Sequence, residues 1–92
     1  MARRHIQYPL MPQHWHWLEF QKVEEPNTKR YYRIELAQAI DGWSVTTYRS
    51  RIGQKPRPMI ETFTTMEAAT ERARRRTHDR LLHGYTLVNF GG

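Results

Sequence analysis

The spacing of apolar positions follows one period over the first two thirds of the chain and another over the rest. From His14 to Lys22 the residues alternate, with His16, Leu18 and Phe20 on one face and Trp15, Trp17 and Glu19 on the other. A period of two predicts a strand, here with large apolar groups on both faces. Glu24-Glu25-Pro26-Asn27 interrupts it as a turn, because proline fixes φ and asparagine tolerates left-handed backbone. Lys29 to Gln38 is the clearest alternation: Tyr32, Ile34 and Leu36 fall to one side, and Lys29, Tyr31, Arg33 and Glu35 to the other. One face packs and the other meets water. Asp41-Gly42 then gives a hairpin turn, so Trp43 to Gly53 is expected to pair antiparallel with the preceding strand.

Gln54-Lys55-Pro56-Arg57-Pro58 reads as a basic loop, since two prolines remove ladder donors. Met59 to Thr64 has strand composition, and there the period shifts toward 3.6. Thr64-Thr65-Met66-Glu67 matches a capping box with Thr64 as cap and Glu67 reaching back, and Phe63 and Ala68 would form its hydrophobic staple. Up to His83, Met66, Ala69, Ala73, Thr77 and Leu81 share one face of an amphipathic helix. Arginines crowd the remainder, offset by Glu71 at i−4 from Arg75 and by Asp79. Gly84 stops the helix, Tyr85 to Phe90 reads as a last strand with Leu87 packing back, and Gly91-Gly92 reads as a disordered end. Met1 to Gln13, with Pro9 and Pro12, has no period and reads as an extended arm. The order predicts an α+β fold. One antiparallel sheet of four to five strands carries one helix across a face, as a single domain over residues 14–90 behind an arm of residues 1–13.

Composition narrows the choice of partner. Fifteen Lys and Arg against nine Asp and Glu leave a formal charge of +6. That favours polyanions: nucleic acid first, then acidic protein or anionic lipid. Without cysteine there are no disulfides, thiolate chemistry or cysteine-held zinc. No long apolar run marks a signal or a membrane span, so the expectation is a cytoplasmic protein, with nucleoid association a narrower form of that reading.

The cations are not spread evenly. Arg49 and Arg51, two apart on a strand, leave the same face. Lys55 and Arg57 follow in the loop, and no acid lies between Asp41 and Glu61. These four are the candidate phosphate contacts, with Trp43 and Tyr31 as candidate stacking aromatics. Arg72, Arg75 and Arg76 on the helix are auxiliary candidates. His5, His14 and His16 include a His-x-His pair, but no third ligand accompanies them, and packed or surface histidines are the simpler reading. Acids are scattered and no Gly-rich phosphate loop is present, so neither an enzyme nor a cofactor is expected. A protein-interaction adaptor is the alternative, with Trp15, Trp17 or Trp43 on a sheet face docking onto an acidic partner.

From about Trp15 to Leu87 the chain resembles a WGR domain, on the strand Lys29-Arg30-Tyr31-Tyr32-Arg33-Ile34, on Arg51-Ile52-Gly53, on Phe63 with Ala69, and on Gly84-Tyr85. The family is a small nucleic-acid-associated module, found in poly(ADP-ribose) polymerases and in free-standing bacterial proteins. Its name comes from a Trp-Gly-Arg sequence at the end of the third strand. Anchored on Arg51-Ile52-Gly53, those three positions hold Arg49, Ser50 and Arg51 here. In the polymerases the tryptophan packs against a terminal nucleotide at a DNA break and the arginine supports that contact. The resemblance therefore implies nucleic-acid association, DNA more than RNA. Arg51 would inherit the arginine's role, and Arg49 replaces the ring with a planar guanidinium that can stack or hold phosphate.

Overall fold

A computed structural model describes residues 15–92. The expected arm, residues 1–13, lies outside the described residues, as do His5 and His14. Five strands and one helix follow in the order β1 (Trp17–Glu24), β2 (Thr28–Ala39), β3 (Gly42–Arg51), β4 (Arg57–Phe63), α1 (Met66–Leu82) and β5 (Thr86–Gly91). All neighbours are antiparallel, in the sheet order β4-β3-β2-β1-β5.

The alternation read from the sequence decides which side is covered. Leu18 and Phe20 of β1 stand opposite Ile34 and Tyr32 of β2, and Val45 and Thr47 of β3 stand opposite Leu36 and Ile34. All are buried except Leu36, which packs against them. The helix lies on this face, chiefly across β2 and β3 and reaching β4. It comes close because Ala69, Ala73 and Thr77 are the residues it buries. Thr77 satisfies its hydroxyl within the helix by donating to the Ala73 carbonyl at 2.9 Å.

Several expectations shift. The helix cap is Thr65, whose hydroxyl accepts from the Ala68 amide at 3.2 Å, so Thr64 is not the cap and Glu67 falls outside the capping-box position. Displacing the cap by one residue also undoes the Phe63–Ala68 staple; Phe63 instead packs against the core opposite Trp43. Met66 is exposed rather than on the packed face. Glu71 pairs with Arg74 at 3.6 Å, not with Arg75. Arg57 and Pro58 belong to β4, which tolerates a proline because it is an edge strand. Gly91 is the end of β5, not a disordered tail. It lies against the Trp17 ring so closely that a Cβ there would stand 2.4 Å from Trp17 Cζ2.

The uncovered face carries a polar network. Tyr31 donates to Glu19 Oε2 at 2.5 Å, Arg33 Nε donates to Glu35 Oε1 at 2.8 Å, and the Arg33 guanidinium sits 4.5 Å over the Trp17 ring. Cations and acids here are matched, so this face has little net pull on a polyanion.

Candidate nucleic-acid interface

The strand register that builds the sheet also stacks cations against one another. Arg30 stands directly opposite Arg51 across β2 and β3, and Arg49 stands directly opposite Arg57 across β3 and β4. By alternation all four share the helix-bearing face with Tyr32 and Thr47, at the end of the sheet where α1 finishes. Like charges in directly opposed positions destabilise a sheet. The register keeps two such pairs, Arg30–Arg51 and Arg49–Arg57.

The helix end closes the other side. Gly84 has φ +84°, its amide donates to the Leu81 carbonyl at 3.2 Å, and the Tyr85 amide donates to the Arg80 carbonyl at 3.0 Å. This is the paired Schellman cap, which needs the left-handed residue that glycine supplies. It turns the chain so that Tyr85 comes to rest 5.4 Å from the Arg80 guanidinium and edge-on to Tyr32, with ring centroids 6.2 Å apart.

Between these walls lies a groove of about 620 Å³ bordered by six cations, Arg30, Arg49, Arg51, Lys55, Arg57 and Arg80. No carboxylate borders it among the described residues. Among the described residues none of the six has a carboxylate within ion-pair distance, although six other ion pairs form elsewhere. The negative end of the α1 dipole, about half a charge, points here too. Six full side-chain charges outweigh it, and Arg80 in the last turn offsets it locally.

Arg49, Arg51, Lys55 and Arg57, the four cations singled out from the sequence, thus come together. Arg30 and Arg80 join them unforeseen. Arg30 was legible in principle, because it has the same parity as Tyr32 and lies beyond the reach of a helix ending at His83. The other candidates are placed differently. Tyr31 borders the groove, but its hydroxyl is held by Glu19 on the uncovered face. Trp43 sits eight residues from Arg51 along β3, about 26 Å away at strand rise, beside a separate depression lined by Ala39, Ile40 and Phe63. Arg72 and Arg76 are bound to Glu61 at 2.8 and 3.0 Å, while Arg75 is exposed and without an ion pair. The three tryptophans do not share a face: Trp15 and Trp43 pack against the core, and Trp17 lies on the open side under Arg33. His16 is exposed, and no three ligand-type groups converge among the described residues.

The family model for the WGR domain matches residues 15–91, nearly the whole described chain. The chain belongs to the WGR family. Neither a curated protein nor a solved structure matches it. A WGR domain is a nucleic-acid-binding type of module, and two of the six groove cations here, Arg49 and Arg51, lie on β3. No α-helix among the described residues is long and apolar enough to cross a membrane.

Proposed function

We propose that this WGR domain is a non-catalytic module that grips the phosphate backbone of double-stranded DNA with little sequence preference, in a cytoplasmic, nucleoid-associated setting. The observation that carries the reading is the pair of cross-strand arginine contacts, Arg30 with Arg51 and Arg49 with Arg57, left without a counter-charge in one groove. Duplex DNA presents one phosphate charge per about 1.7 Å of axis and supplies the missing anions densely.

The aromatic groups at the groove point away from base reading. Tyr31 is tied through its hydroxyl to Glu19 on the uncovered face, and Tyr85, half-buried, is flanked by Arg80 and by Lys22 at 6.0 Å. Single-strand binders depend on free ring faces for stacking. With the rings engaged inside the protein, backbone contact is what remains, and that favours a duplex.

Fluorescence anisotropy with a labelled duplex over a salt series tests the reading. Four to six phosphate contacts give a slope of log K against log salt of about −4 to −5. Arg49→Glu with Arg51→Glu is expected to abolish binding or flatten that slope. Retention of neither duplex DNA nor RNA at low salt would sink the class, and an unchanged slope in the double variant would sink the site.

A further inference from the structure

Beyond the groove, the row of arginines along α1 is interrupted by one acid. Arg72, Arg76 and Arg80 follow each other at i+4 spacing, so their side chains form a line on one side of the helix. Arg80 borders the groove. Arg76 comes next, one helical turn before Arg80 on the same side of α1. Arg72 is one turn further, with its guanidinium 5.8 Å from the Phe63 ring. Across from them on β4, Glu61 bridges the two outer arginines: Arg72 Nη1 donates to Oε2 at 2.8 Å and Arg76 Nη2 donates to Oε1 at 3.0 Å. The Glu61 side chain is only 22% exposed, so water screens the bridge weakly. Both carboxylate oxygens are used on cations that would otherwise extend the positive surface by two turns of helix.

We propose that Glu61 sets the length of the polyanion track, acting as an internal substitute for phosphate that holds Arg72 and Arg76 and confines DNA contact to the groove. The inference rests on the groove reading above. It makes Glu61 a specificity-determining residue: it limits affinity and the length of duplex engaged, and contacts no DNA itself.

The test uses the full chain and the same labelled duplexes, in a series of increasing length. Glu61→Gln keeps the size and one acceptor but removes the charge. It is expected to steepen the salt slope by about 1–2, an additional loss of about 12-fold in affinity between about 50 and 200 mM salt if two phosphates are gained. It should also raise the duplex length needed for full affinity. Glu67→Gln makes the same change in net charge at an exposed helix position that holds no arginine and should leave both quantities unchanged; if it steepens the slope equally, the effect is only net charge and the proposal fails. Arg72→Gln with Arg76→Gln, in the otherwise native chain, should leave the slope unchanged because these arginines are already occupied. A shallower slope in that variant overturns the masking role even if Glu61→Gln does not fold. If Glu61→Gln folds and its slope matches the native chain, the proposal also fails. Failure of the underlying reading looks different: the native chain then binds no duplex, or Arg49→Glu with Arg51→Glu leaves binding untouched.

Discussion

The guanidinium carbon of Arg80 lies 4.7 Å from the ring centroid of Tyr32, and the Arg80 Nε is buried without a hydrogen-bond partner. Arg80 therefore serves two purposes: it caps the core by stacking, and it lends charge to the groove. The two separate by substitution. Arg80→Lys keeps the charge but loses the planar stack, and is expected to cost about 1 kcal/mol of stability while leaving the DNA salt slope unchanged. Arg80→Gln should cost a similar amount and also make the slope shallower by about 0.9. Urea unfolding read beside the salt series checks both.

Gly84→Ala tests the turn that brings Tyr85 into place. A Cβ at Gly84 would meet only Glu24 and Lys22 side-chain atoms at 3.6 Å, which is ordinary contact. The cost is thus conformational, from holding alanine at φ +84°, and is expected to be about 1–2 kcal/mol. Gly84→Asn should recover part of it, since asparagine tolerates left-handed backbone. A denaturation midpoint unchanged in the alanine variant would show that the cap can be rebuilt another way.

Most of the sheet was legible because period-two alternation survives on β2 and β3, where Tyr32, Ile34 and Val45 are buried and their neighbours are not. The β2–β3 hairpin was legible from Asp41-Gly42, although its two-residue turn is Ile40-Asp41 and Gly42 already pairs with Ala39; the Gly84 stop was legible because it requires a backbone that few residues adopt. Boundaries were weaker. Thr64 and Thr65 have the same capping chemistry, and the local sequence does not separate them. Sequence order also hid what register supplies: Arg30 lies twenty-one positions before Arg51, and only the β2–β3 pairing sets them side by side. Arg72 and Arg76 looked free because Glu61, their partner, belongs to a different element. Gly91 looked dispensable for the same reason, its neighbour Trp17 being at the other end of the chain.

Ala73→Leu tests the close approach of helix and sheet. Ala73 is fully buried against the core, and a side chain larger by several carbons forces the helix outward or strains rotamers. Overpacking of this kind is expected to cost about 1–3 kcal/mol. The groove would widen on the Arg80 side, so DNA affinity should fall although no cation is removed. Alanine-to-serine at the same site, nearly equal in size, should leave the groove intact and separate a shape effect from general destabilisation.

Tyr31 links stability to alkaline pH. Burial, reinforced by the Glu19 carboxylate that accepts its hydrogen bond, pushes the phenol from 10.0 up to about 12. Below pH 10 the hydroxyl is protonated in folded and unfolded chains alike, and its contribution is complete. Between 10 and 12 the unfolded chain releases the proton while the folded one retains it, so stability must fall as pH rises through that window. Tyr31→Phe removes the proton and should flatten this part of the curve, as seen in thermal melts run across it. Some decline should persist, because burial and Glu35 also raise Tyr48 on the same face. A native chain whose melting temperature holds steady from pH 10 to 12 would overturn the raised Tyr31 titration as a whole, its burial as well as its bond to Glu19.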